Sequence, residues 1–412
     1  MSEQKLFGMK TEQGRWMFVL LGLLMNLCLG AVYAFSVFKK PLQDLWSINA
    51  TQSGLPFMIF LAVFALFMAL AGGLVGKWGA KKAGLLGGIL VGAGWILAGV
   101  APNITWLTIF YGVIGGAGVG IIYGVPIAVS AKWFPDKKGL AVGLTVMGFG
   151  LSALIMAPLM RAMIASTSIG AMRTFAYLGI AFTTILILLS LPMRTPKEGW
   201  KPAGWSGGAT KGAAKLIDLD RKAMVKTSTF YALWGTYTIG CLAGLMAIGI
   251  SSPVGQEVAR LTPSMAALSV SIFAIFNGVG RPIFGWLTDK LAPRNTAVLS
   301  FVLILAASAM LYLWGEGNSF IYFLSFIILW MNLGGWLAIA PTATATLFGT
   351  KHYGTNYGLI FTSYGVGALL GGTLSGMIRD ASGGYLPVFL PVMGLAAAGI
   401  VISLLWLKPV KA

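Results

Sequence analysis

Arg281 is the residue whose type and position most directly imply chemistry. It stands in a long apolar run, eight residues before Asp289. At about 1.5 Å per helical residue, its guanidinium lies roughly 12 Å from the aqueous end of its helix. An arginine at that depth costs about 3 kcal/mol on insertion scales unless it faces a cavity or an opposite charge. No acidic residue shares the helix at that depth, and all 11 carboxylates of the chain fall in expected loops, tails or helix ends. An anionic substrate supplies the missing counter-charge, because a guanidinium grips a carboxylate by two parallel hydrogen bonds that select charge and orientation together. Asn277 lies one helical turn before Arg281 and shares its face, so its amide is offered to the same ligand or to the guanidinium.

Other reactive residue types are placed less productively. His352, the single histidine, falls in an expected loop. Cys28 and Cys241 sit in apolar helices, where a thiol is ordinarily a small packing residue, so neither a disulfide nor a metal centre is expected. Asp44 and Glu257 close the outer ends of two helices and are candidates for proton-coupled gating. No intramembrane catalytic pair, metal cluster or nucleotide loop points to an enzyme, and no cofactor is implied.

These residues are positioned by helices that must face lipid. The 412-residue chain is 57% hydrophobic and only 10% charged, with a mean hydropathy of +0.84. That composition marks an all-α integral membrane protein rather than a soluble domain. Runs long enough to span about 30 Å of hydrocarbon recur near 16–38, 54–75, 84–101, 105–130, 139–160, 171–192, 229–250, 264–287, 296–314, 318–340, 356–377 and 386–407, twelve in all. The first run is too long for a signal-peptide core and lacks a small-residue cleavage site, so it is read as a retained helix.

A net charge of +18 would point to nucleic acid in a soluble protein. Here its placement reports topology instead, and no nucleic-acid partner is expected. With the N-terminus inside, only Lys39, Lys40, Arg161, Arg173, Arg260 and Arg379 fall outside and Arg281 within a span; the remaining Lys and Arg fall inside. This obeys the positive-inside rule and puts both termini in the cytoplasm of a cell inner (plasma) membrane. The lipid bilayer is the expected surrounding, with no obligatory protein partner.

The stretch 194–228 is poor in large aliphatics and rich in Gly and Lys, and reads as a cytoplasmic linker with a short surface helix. It divides an N-terminal six-helix part, 1–193, from a C-terminal one, 229–412. One register lays Gly72 over Gly285, Lys77 over Lys290, Cys28-Leu29 over Cys241-Leu242 and Gln43-Asp44 over Gln256-Glu257. A slightly longer offset pairs Gly143-Leu144 with Gly358-Leu359 and Phe149-Gly150 with Tyr364-Gly365. Such a shared register reads as a duplication, which places a substrate path between two pseudo-repeats near mid-membrane. Phe149 and Tyr364 are repeat partners and Phe361 lies a turn from Tyr364, so these three are wall candidates.

The repeated loop resembles the signature G-x-x-x-D-[RK]-x-G-[RK]-[RK] of the major facilitator superfamily. Gly285, Asp289, Lys290 and Arg294 match it as a gate motif, while the first copy has Gly76 where the acid belongs. The runs GAVYAF, GIIYG, KWFPDKKGLAVG, NGVGRPIFGWLTDK and NYG further resemble the oxalate–formate antiporter and monocarboxylate transporter group, over nearly the whole chain. The resemblance implies twelve helices in two six-helix pseudo-repeats, and it adds Tyr33 and Tyr123 to the substrate walls. Animal monocarboxylate transporters usually carry Asp where Asn277 stands. Oxalate-transporting relatives carry a second cation, a lysine, where this sequence has Ser363 or Tyr364. A dianion beside a single buried arginine would leave one charge uncompensated. The expected function is therefore proton-coupled symport of small monocarboxylates such as lactate and pyruvate by alternating access, the alternative being carboxylate exchange of the oxalate–formate type.

Overall fold

The computed structural model describes residues 5–71, 74–197, 200–202, 218–349 and 352–409. Gly72 and Gly73, at the head of the first repeated loop, lie outside them, as do residues 198–199 and 203–217 of the linker. Among the described residues, eleven helical segments are long and apolar enough to cross a bilayer. In chain order the helices are α1 (Thr11–Ala34), its amphipathic continuation α2 (Ser36–Trp46), α3 (Ala50–Ala71), α4 (Trp78–Ala98), α5 (Ile104–Trp133) and α6 (Leu140–Ala165). There follow α7 (Gly170–Ser190), α8 (Ser228–Glu257), α9 (Pro263–Trp314), α10 (Ser319–Phe348), α11 (Thr355–Ser382) and α12 (Leu386–Trp406). In helix α9, 52 residues long, the backbone leaves the helical region at Ala292, with φ 65° and ψ 158°. A straight helix of that length would be more than twice as long as roughly 30 Å of hydrocarbon, so α9 carries two spans and the expected twelve crossings are present.

Gly79 near the start of α4 has φ 79° and ψ 158°, almost the same unusual conformation as Ala292. The two stand over each other in the register that lays Gly72 over Gly285. The helix starts are closed by polar side chains that accept otherwise orphaned backbone N–H groups: Asn103 before α5, Thr227 before α8, Thr262 before α9 and Asn318 before α10. Within 218–228, Arg221–Met224 forms a short helix capped by Asp220, with Arg221 and Lys222 exposed and Met224 buried.

At the face where the chain begins, a two-stranded hairpin, β1 (Lys5–Leu6) and β2 (Met9–Lys10), precedes α1. Arg15 then donates to both carboxylate oxygens of Asp136 at 2.6 and 2.9 Å and to the Trp133 carbonyl at 3.1 Å. It also pairs with Glu12 at 2.6 Å and lies over the Phe134 ring. The Trp-Phe-Pro-Asp run thus ties the start of α1 to the end of α5. Trp133 extends the tie by donating its indole N–H to the Arg194 carbonyl at 2.8 Å. The Arg15 guanidinium holds the Asp136 carboxyl below its ordinary range.

The first six spans meet the last six mainly where α3 packs along α11 and α6 along α9. Small residues permit both approaches. Gly365 lies against Ala62 and Ala65, and Gly150 against Asn277 and Gly278.

Candidate functional site

At the junction of α6 and α9, Arg281 is 9% exposed. Its Nη1 donates to the Val146 carbonyl of α6 at 2.8 Å. Nε and Nη2 have no hydrogen-bond partner among the described residues. These two nitrogens form one flat edge of the guanidinium, the edge that a carboxylate grips with two parallel bonds. Tyr123 of α5 faces the guanidinium, and Tyr33 of α1 lies within its electrostatic reach.

Asn277 shares the helix face as expected, but its amide is committed elsewhere. Nδ2 donates to the Trp330 carbonyl of α10 at 3.0 Å, and Oδ1 has no partner among the described residues. Gly150 makes this packing possible, since a Cβ there would stand only 3.0 Å from Asn277 Oδ1.

The expected aromatic walls converge. Tyr33 and Tyr364 join hydroxyl to hydroxyl at 2.8 Å across the junction. Phe149 meets Tyr33 edge-on with ring centres 5.0 Å apart and Tyr123 at 5.4 Å. Phe361 stacks on Tyr364 at 5.0 Å. Two further rings complete the box. Phe64 of α3 lies 5.2 Å from Tyr123 and 5.8 Å from Tyr364, and Trp330 of α10 lies 6.3 Å from Tyr33. The sequence offered one signal for Phe64, because the repeat register sets it over Asn277. None distinguished Trp330 from packing tryptophans.

The candidate gating acids separate. Asp44 is exposed, and among the described residues it enters none of the ion pairs at this end of the molecule. Glu257, at the end of α8, is bracketed by Lys40 at 3.5 Å and Arg379 at 3.3 Å, which links α2, α8 and α11. Beside it Asp380 of α11 accepts the backbone N–H groups of Ala50 and Thr51 at 3.0 Å each, together with the Thr51 hydroxyl. A carboxylate from the last six spans therefore caps the first turn of α3, and the two sets of helices are sealed on the face away from the N-terminal hairpin. Lys39 is buried under this seal at 3% exposure, with its ammonium 5.9 Å from the Tyr385 ring centre.

In the gate motif, Asp289, Lys290 and Arg294 are exposed around the break at Ala292, and Gly285 is half-buried beside Ala338. Cys28 and Cys241 are buried free thiols, and His352 is half-buried just ahead of α11.

Residues 19–341 and 247–412 match the sequence profile of the Major Facilitator Superfamily. The chain is similar to the oxalate:formate antiporter of Oxalobacter formigenes, at 29% identity over 90% of this chain and 86% of that one. It is also similar to monocarboxylate transporter 13 of Rattus norvegicus, at 25% identity over 94% of this chain and 88% of that one. Among solved structures it resembles a bacterial homolog of the human lysosomal transporter Spinster in an inward-facing, unoccupied conformation. That likeness has a TM-score of 0.68, at 17% identity and 95% coverage of both chains, and concerns the fold alone.

Proposed function

Because this chain belongs to the Major Facilitator Superfamily and is a transporter rather than an enzyme, we propose that it carries small monocarboxylates, lactate and pyruvate among them, by proton-coupled symport. The observation that carries this reading is the Nε and Nη2 edge of Arg281, which has no hydrogen-bond partner among the described residues, in a box whose described side chains include no acid. A carboxylate on that edge neutralises the guanidinium and satisfies both nitrogens at once. Tyr33, Phe149, Tyr123, Phe361 and Tyr364 enclose the remainder of the substrate, with Asn277 holding α9 against α10 behind it. A dicarboxylate would leave its second charge unpaired, because the resemblance to oxalate-transporting relatives puts Ser363 or Tyr364, and not a lysine, at their second cation position.

In this reading the two six-helix parts, 1–193 and 229–412, joined by the 194–228 linker, rock about the site so that it opens alternately to either face. The protein resides in the inner (plasma) membrane with both termini cytoplasmic. Glu257, held between two cations that separate when the sealed face opens, is the better-placed proton acceptor, and Asp44 the more solvated one. The 29% identity to the oxalate:formate antiporter favours a second reading, carboxylate exchange. Reconstituted liposomes discriminate the two. A pH gradient alone drives lactate accumulation in symport, whereas a strict requirement for internal carboxylate overturns it in favour of exchange.

A further inference from the structure

At the face where the chain begins, α8 starts beside the end of α12. The Thr229 hydroxyl of α8 donates to the carbonyl of Lys408, just past α12, at 2.9 Å. Between the two helices lies an open groove of about 330 Å³, lined by Ser228, Tyr231, Ala232, Ile402 and Trp406. Ala232 offers only a methyl group, while Tyr231 and Trp406 are 63% and 49% exposed. A phenol and an indole with an apolar body and a polar tip settle at the head-group level of a bilayer, so the groove opens where acyl chains meet head groups. The charge at that end is one-sided. Arg221, Lys222 and Lys226 are exposed just ahead of α8, and Lys408 is exposed just after α12. The acids within 218–232 and 400–412 are Asp218 and Asp220, and the Asp220 carboxylate accepts the Ala223 N–H at 2.7 Å. Lys226 is three residues before Thr229, so the hydrogen bond to Lys408 brings both lysines to one end of the groove. Among the described residues neither lysine enters an ion pair.

We propose that this groove is a binding site for an anionic phospholipid of the phosphatidylglycerol type, its phosphate held by Lys226 and Lys408 and the start of an acyl chain lying over Ala232 and Ile402 between Tyr231 and Trp406. Basic pockets between spans at the membrane surface take anionic head groups. A soluble anion has no use for the apolar floor, and a zwitterionic lipid brings an ammonium of its own to a place already holding two. The site is separate from the Arg281 box and holds whichever substrate that box carries.

Native mass spectrometry of the purified, delipidated protein tests this, with dioleoyl phosphatidylglycerol and dioleoyl phosphatidylcholine titrated separately and the affinity of the first bound lipid read for each. Wild type should prefer phosphatidylglycerol by at least about 10-fold, and Lys226→Gln combined with Lys408→Gln should cut that preference to within about two-fold. Trp406→Ala should weaken both lipids by at least about 3-fold, because it removes a ring beside the acyl chain rather than a charge. Lys81→Gln combined with Lys82→Gln takes two exposed cations from the other set of spans and should leave the preference intact. Equal binding of the two lipids by wild type overturns the proposal, in a measurement that depends on no variant folding. So does a preference that survives loss of Lys226 and Lys408, or one that falls equally with Lys81 and Lys82, which would assign it to the charge of the whole face. Unchanged lipid affinity in Trp406→Ala removes the groove from the site, and a dimer in the same spectra that excludes lipid gives the groove to a second copy of the chain; either result overturns the proposal.

Discussion

Among the described residues Nε and Nη2 of Arg281 have no hydrogen-bond partner although the side chain is almost fully enclosed, and this makes the identity of the cation testable separately from its charge. Arg281→Lys keeps the charge but loses the flat two-nitrogen edge. Lactate affinity, measured by equilibrium binding, should fall about 10- to 100-fold, the equivalent of one charge-assisted hydrogen bond. Arg281 was legible in the sequence because a charge within an apolar run is anomalous in lipid. Phe64 and Trp330 carry no such mark, since an aromatic residue in a span packs as readily as it lines a path. Lys39, counted outside the spans, is buried for a related reason. Its burial comes from the α3 residue Gly54 and from Tyr385, neighbours that no local pattern reveals. The Asn277 amide was placed on the correct face, but which of its atoms remained free depended on the Trp330 carbonyl, a contact between separate helices.

Among the helices, the twelve crossings and the repeat register were readable because lipid imposes length and apolarity on each span. The ends were less so. The seventh crossing was expected at 229–250, yet α8 continues to Glu257, because hydrophobicity stops at the hydrocarbon edge whereas the helix continues to the charged seal. Thr108–Gly115 winds as a π-helix, an irregularity without a composition signature here. The repeat also exposes a strained position. Ala292 adopts φ 65° and ψ 158°, a region that glycine occupies freely and that costs other residues about 1–3 kcal/mol. Its counterpart in the register is Gly79. Ala292→Gly should therefore raise the thermal midpoint of the purified protein, since the relieved strain exceeds the roughly 0.5–1 kcal/mol of added chain entropy, and Gly79→Ala should lower it. The Arg15–Asp136 tie has a definite pH dependence. Because the folded-state value of Asp136 is depressed, the tie contributes fully above about pH 4 and is lost as pH falls below that. Asp136→Asn should thus melt below wild type at pH 7, and the two should converge as the pH falls through the depressed folded-state value.

For the whole molecule, the polar contacts that join the two sets of six spans include a central layer and a seal. The central layer includes Arg281 on Val146, Ser271 on Ala153 and Tyr33 on Tyr364. The seal consists of Glu257 between Lys40 and Arg379, with Asp380 capping α3. Opening that face requires the seal to part, so Glu257→Gln combined with Asp380→Asn should shift the population toward a state open there. Spin labels at Pro102 and Glu316, exposed on that face in different sets of spans, should report a larger long-distance fraction in the double variant, and an unchanged distribution would show that the seal does not govern opening. On the proposed reading, substrate charge is decided at the centre. The most direct test is equilibrium binding of lactate and oxalate to purified wild type and Arg281→Gln. Wild type should bind lactate well in preference to oxalate, and Arg281→Gln should lose at least about 10-fold in lactate affinity; undiminished lactate binding by Arg281→Gln, or a wild-type preference for oxalate, would contradict a single-carboxylate site on Arg281.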